Sequence, residues 1–100
     1  MRQVDHFIVG GSDGASGRRH QIWNPSTGEI QAEVHLGNPK LLDKAVSAAK
    51  RVQPEWAATN PQKRARVMFK FKELIEANMQ SLAELLSSEH GKVIEDAKGD

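Results

Sequence analysis

At 100 residues and 11.1 kDa, the chain has material for one compact domain and not for two. Hydrophobic residues make up 38% and charged residues 27%, and fourteen Lys+Arg face thirteen Asp+Glu, so no strong field points to nucleic acid, anionic lipid or an acidic substrate. There is no cysteine, which excludes disulfides, thiolate metal sites and a cysteine nucleophile within these residues.

No apolar run approaches the roughly 18 residues that span a bilayer. The opening Met1-Arg2-Gln3-Val4-Asp5 has no apolar signal segment, and its acid argues against a transit peptide. The expectation is a reduced compartment, most simply a bacterial cytoplasm, with neither membrane nor nucleic acid as partner.

In chain order, the first third reads as strands punctuated by glycine. A strand is predicted over about 6–10, from the β-type run His6-Phe7-Ile8-Val9 closed by Gly10-Gly11. Ser12 to Gly17 are small turn formers with nothing to bury. A second strand is predicted over 20–23, ending at Asn24-Pro25-Ser26-Thr27-Gly28. A third, over 30–36, alternates without a fault, which puts Ile30, Ala32, Val34 and Leu36 inward and Gln31, Glu33 and His35 outward. The two strands flanking Asn24–Glu29 form a hairpin.

Two helices follow, over about 39–57 and 61–90, each opened by an Asn-Pro pair. Asn38 and Asn60 can accept an orphan N–H, and Pro39 and Pro61 lose nothing at a position where the N–H is unpaired anyway. Leu42, Ala45, Ala49, Val52 and Trp56 share one face of the first helix. Met68, Phe71, Ile75, Met79, Leu82 and Leu86 share one face of the second, which ends at the C-cap Gly91. These positions are expected to bury, Phe71 and Leu82 among them, while Lys70 and Lys72 reach water. Val93, Ile94 and Ala97 begin a third helical pattern.

A helix from 62 to 90 would be about 43 Å long, whereas a compact globule of this size is roughly 34 Å across. The stripe therefore outruns its own domain. Lys63, Arg64, Arg66, Lys70 and Lys72 crowd its N-terminal half while Glu76, Glu84 and Glu89 lie toward its C-terminal end, against the helix dipole. Packing in a larger body has to outweigh that, so the chain reads as a piece of a longer protein.

Candidate chemistry is sparse. The glycine-rich stretch 10–17 matches no phosphate-binding pattern and leads into a strand, so no helix dipole faces it. His90-Gly91-Lys92 has Val93 where a phosphate loop needs Ser or Thr, and reads as a helix cap. His6, His20, His35 and His90 have no i,i+4 pairing, which argues against a metal site. No Ser/His/Asp order is persuasive. The basic residues from Lys63 to Lys72 read as a solvated or salt-bridging face, and Trp23 and Trp56 as core anchors. No catalytic, cofactor-binding or metal-binding residue is assigned.

The ordered motifs resemble the N-terminal region of the aldehyde dehydrogenases. They are Phe7-Ile8-Val9-Gly10-Gly11, Asn24-Pro25-Ser26-Thr27-Gly28-Glu29, Ala45-Val46-Ser47-Ala48-Ala49-Lys50, Trp56, Arg64-Ala65-Arg66 and Glu89-His90-Gly91-Lys92. Three stretches, 60–71, 85–92 and 96–100, are similar to the CoA-acylating methylmalonate-semialdehyde dehydrogenases in particular.

The resemblance implies an α/β parent in which residues 1–100 form an N-terminal segment of the NAD-binding domain: a β-hairpin, two long amphipathic helices and the start of a third. It implies oxidation of methylmalonate or malonate semialdehyde with NAD and acyl transfer to coenzyme A. In that chemistry a cysteine thiolate attacks the aldehyde, hydride passes to the nicotinamide, and CoA resolves the thioester while amide groups stabilise the oxyanion. All those groups lie beyond residue 100 in the family pattern, so this segment alone is expected to be inactive and to hold no cofactor. The implied partners are the remainder of the parent chain and further copies of it, as dimer or tetramer. Two other readings compete: a standalone α+β interaction module whose amphipathic helix docks into a partner groove, and an inactive truncated paralogue.

Overall fold

A computed structural model describes residues 1–14 and 17–100, so Ala15 and Ser16 of the predicted turn lie outside the described residues. The described residues divide into two bodies: Met1–Trp23 with Ile30–Ala58, and Asn24–Glu29 with Thr59–Asp100.

The first body begins with β1 (Arg2–Val4), β2 (His6–Ile8) and β3 (Gly11–Asp13), followed by β4 (Arg19–Trp23) and β5 (Ile30–His35). The predicted hairpin is present as antiparallel β4 and β5, with Arg19 opposite His35 and Ile22 opposite Ala32. Trp23 then pairs with Ile30, which leaves Gln31 as the extra residue of a bulge, and the Gln31 side-chain amide donates to the Trp23 carbonyl at 3.3 Å.

The strand β1 was not foreseen; it runs parallel to β5 with Val4 opposite Val34, making β5 the centre of a three-stranded sheet in the order β1-β5-β4. Three residues carry too little pattern to announce a strand, and pairing to β5 supplies what propensity does not.

The run predicted over 6–10 stops at Ile8. Val9 (φ 54°) and Gly10 (φ 75°) form a two-residue turn, and Gly11–Asp13 pairs back on His6–Ile8. Positive φ at both turn positions is the hairpin geometry that matches strand twist. Ser12 and Asp13, predicted as turn, are therefore strand.

Central placement also overturns the outward assignment of His35. Ala32 is fully buried, as the alternation predicts, but His35 is buried too, at 9% exposure, and Ile30 is left at 36%. Asp5 and Gly14 lie against His35 and cover the side that alternation turns outward, so simple alternation does not describe the end of this strand.

The helix α1 (Pro39–Ala58) starts where predicted: Asn38 Oδ1 accepts the Leu41 N–H at 2.7 Å. Its buried residue is Leu41, with Ala45 and Ala48 partly covered, while Leu42, Val52 and Trp56 of the predicted face stay exposed. The inward face shares Ala45 with the predicted one and is turned from it by about 50°. Trp56 and Trp23 are half-exposed, at 43% and 50%, and do not anchor a core within this chain.

In the second body the helix predicted over 61–90 is interrupted. It forms α2 (Pro61–Ala77) and α3 (Met79–His90), with α4 (Ile94–Lys98) realising the third pattern and burying Ala97. Asn60 caps α2 by accepting the Gln62 N–H at 2.8 Å. The interruption is at Asn78, whose backbone N–H reaches the carbonyls of Leu74 and Ile75 and whose side-chain amide also donates to Leu74 at 2.8 Å. An amide side chain that bonds the preceding turn offers the backbone an alternative to continuing the helix.

Of the apolar stripe predicted to bury, Met79 and Leu86 are half-buried within this chain, whereas Phe71 is 56% and Leu82 47% exposed; Ala83 beside them is buried. Lys70 and Lys72 reach water as expected and pair with Glu73 and Glu76 at 3.7 Å.

Candidate functional site

An open groove of about 590 Å³ lies between β2 and the start of α1 in the first body. Phe7, Ile8, Leu41, Leu42 and Ala45 wall it, and Arg18 and Asn38 lie at its polar end. Those two polar groups are already engaged with backbone. The Arg18 guanidinium donates to the Gly37 carbonyl at 2.6 Å, and Asn38 serves as the α1 cap. His6 Nε2 is buried there without a hydrogen bond. An imidazole nitrogen that makes no hydrogen bond is not by itself an acid–base couple.

Charged side chains of this body form pairs rather than a centre. His35 Nδ1 lies against Asp5 Oδ1, and Lys44 is ion-paired with Asp13. Gly14 lies against the first pair: a Cβ there would sit 2.8 Å from Asp5 Oδ1 and 3.3 Å from His35 Nδ1. Among the described residues no group of three or more His, Cys, Asp or Glu side chains is placed to hold a metal. Among the described residues no helix is long and apolar enough to cross a membrane.

In the second body, two motifs far apart in sequence come together. The Asn24–Glu29 loop is closed by Asn24 N–H to the Glu29 carbonyl and Gly28 N–H to the Asn24 carbonyl, both 2.8 Å. Asn24 Oδ1 also accepts the Ser26 N–H at 2.9 Å, and Gly28 adopts φ 74°. The loop tip meets the end of α3: a Cβ on Gly91 would lie 3.3 Å from Pro25 Cγ and 3.9 Å from Ser26 Oγ. Gly91 has φ 87° and donates its N–H to Ser87 at 2.8 Å, the left-handed cap that the sequence predicts. Ser87 Oγ donates to the Lys92 carbonyl at 2.6 Å, and Lys92 pairs with Asp100, so the cap leads directly into α4. Spacing along the chain does not reveal that Asn-Pro-Ser-Thr-Gly-Glu and Glu-His-Gly-Lys touch.

The sequence model of the aldehyde dehydrogenase family matches residues 12–100. The chain belongs to the aldehyde dehydrogenase family. It is 43% identical over 100 residues to a malonate-semialdehyde dehydrogenase of Pseudomonas aeruginosa, aligning all of this chain with 20% of that protein. Two solved structures share its fold at TM-score 0.95, each covering 99% of this chain and 20% of theirs. One is a candidate methylmalonate-semialdehyde dehydrogenase from Sinorhizobium meliloti 1021 complexed with NAD, 55% identical. The other is a methylmalonate-semialdehyde dehydrogenase from Oceanimonas doudoroffii, 41% identical.

The chain thus spans about a fifth of the length of the relatives it matches. The α/β family expected from the motifs is the family found, and the strands followed by helices fit a segment of that fold. The Pro25–Gly91 junction is, in this segment, a packing contact between the loop tip and the end of α3.

Proposed function

We propose that residues 1–100 are the N-terminal fifth of an NAD-dependent, CoA-acylating dehydrogenase of methylmalonate or malonate semialdehyde, and act there as scaffold for the NAD-binding domain. The observation that carries this reading is the end-to-end match, over the whole chain, to a malonate-semialdehyde dehydrogenase and to an NAD-complexed structure at 55% identity.

We assign no NAD or CoA contact to these residues. A dinucleotide phosphate needs a free helix N-terminus behind a glycine-rich turn, whereas the N-termini of α1 and α2 are occupied by Asn38 and Asn60 and blocked by proline. This supports assigning no catalytic or cofactor contact to the segment, and no chemical step is routed through it. Its contribution is to hold two bodies of secondary structure in a set shape, through the β5-centred sheet in one and the Pro25–Gly91 junction in the other. The whole enzyme is assigned to the bacterial cytoplasm and to a homo-oligomer, dimer or tetramer, on the same family reading.

The test is turnover. Residues 1–100 joined in frame to the remaining length of the Sinorhizobium meliloti protein should produce NADH from malonate or methylmalonate semialdehyde only when CoA is present, while residues 1–100 alone should produce none. Production independent of CoA would leave the family intact and overturn the acyl-transfer reading. Turnover by the isolated segment, free of host enzyme, would overturn its role as scaffold.

A further inference from the structure

Asp13-Gly14 is the one Asp-Gly pair in the chain, and there is no Asn-Gly. In such a pair the following backbone nitrogen has no Cβ beside it to hinder its attack on the aspartate side chain. Packing fixes the glycine here: a Cβ at Gly14 would sit 2.8 Å from Asp5 Oδ1 and 3.3 Å from His35 Nδ1. The chain therefore keeps a labile peptide bond at the end of β3 and cannot relieve it by enlarging Gly14.

Two contacts oppose the attack. Asp13 is a strand residue, opposite His6 in the β2–β3 pair. Extended backbone swings the following nitrogen away from the side chain, whereas ring closure needs the two nearly eclipsed. The Asp13 carboxylate is also ion-paired with Lys44 Nζ, the two side chains being 14% and 58% exposed. Lys44 belongs to α1, so the pair ties the carboxyl group to a helix and holds it off its own main chain.

We propose that Asp13 is a site of spontaneous conversion to isoaspartate, and that Lys44 holds its rate down. The Gly14 nitrogen bonds to Asp13 Cγ and gives up its proton, the Cγ–OH bond breaks, and water leaves a succinimide behind. Water then adds back at either carbonyl and cleaves its C–N bond, which restores aspartate or leaves the main chain running through Cγ. The second product lengthens the main chain by one atom where Gly14 packs on Asp5 and His35, and so breaks that contact.

The experiment incubates the chain in heavy-oxygen water and reads residue 13 by mass spectrometry, with electron-transfer fragmentation to separate isoaspartate from aspartate. A peptide of residues 9–18 should form isoaspartate at least about tenfold faster than the chain, the factor that one residue's backbone freedom supplies. Lys44→Ala should fall between the two, about fivefold faster than the chain, as loss of a surface ion pair allows. Lys44→Arg, which can keep the pair, should match the unsubstituted chain, and so should Lys40→Ala, one turn earlier on α1. Equal rates in the chain and in Lys44→Ala would overturn the role of Lys44. A peptide no faster than the chain, or no heavy oxygen entering residue 13 in either, would overturn the site itself. Salt decides the matter if Lys44→Ala unfolds: screening the pair should speed the unsubstituted chain and leave the peptide unchanged. A chain whose rate ignores salt would overturn the proposal.

Discussion

Pro25 and Gly91 meet at the tip of the Asn24–Glu29 loop and the end of α3, with 3.3 Å between Pro25 Cγ and the place a Gly91 side chain would begin. Two demands therefore fall on one residue. The backbone at φ 87° favours glycine, and the proline ring leaves no room for a Cβ without yielding a few tenths of an ångström.

Gly91→Ala should destabilise the second body by about 1–2 kcal/mol from the left-handed backbone alone, with the proline contact adding to it. Pro25→Ala in the same chain should recover the contact part and leave the backbone part. A double-mutant cycle by thermal melting separates them: a coupling of zero would mean that the ring moves aside freely.

Leu41 and its neighbour Leu42 make a second test. Leu41 is 7% exposed and Leu42 63%. Leu41→Ala should cost about 2–5 kcal/mol, and Leu42→Ala should stay within about 0.5 kcal/mol in the 100-residue chain. Equal losses in urea unfolding would contradict the phase of α1 described above.

Removing the carboxylate beside the buried imidazole should hurt more than removing an exposed partner. Asp5→Ala leaves the buried His35 imidazole without its polar neighbour and should cost about 1–3 kcal/mol. Gln3→Ala, which loses only a 3.5 Å contact to Glu33, should be near neutral. Gly14→Ala should act like Asp5→Ala, because its methyl group would displace the same carboxylate. Chemical denaturation of the three variants checks the order.

Val9 is a β-branched residue at φ 54° in the turn between β2 and β3, and is 73% exposed. Val9→Asn creates the Asn-Gly pair that such turns prefer and gives up little burial, so it should stabilise by about 1 kcal/mol. A lower melting temperature would show that the valine packs more than its exposure indicates.

What the sequence made legible was local chemistry. Asn38-Pro39, Asn60-Pro61 and Gly91 each state a helix boundary through their own hydrogen-bonding capacity, and the structure places all three as read. The β4–β5 hairpin follows from alternation and a turn. What failed depended on distant partners. Leu41 and Leu42 are equivalent in a propensity count, and only the strands packed in the same body choose between them. His35 looks outward by parity until Asp5 and Gly14 come to lie against it. Asn78 reads as one polar residue in a long helix until its amide turns back to Leu74. The candidate site was legible only as a set of family motifs, because the contact between Pro25 and Gly91 joins residues that no periodicity connects.

The bulge at Gln31 sets how this hairpin tolerates insertion and deletion. Because Ile22 pairs with Ala32 and Trp23 with Ile30, one residue of β5 is already outside the ladder. A deletion at Gln31 can be absorbed by straightening the strand, with Ala32 to His35 keeping their partners and their faces. A deletion between Ala32 and His35 has no such slack and turns every following side chain to the opposite face. Length variation among sequences sharing this hairpin should therefore collect at the bulge and the loop beside it, and spare the four residues that follow.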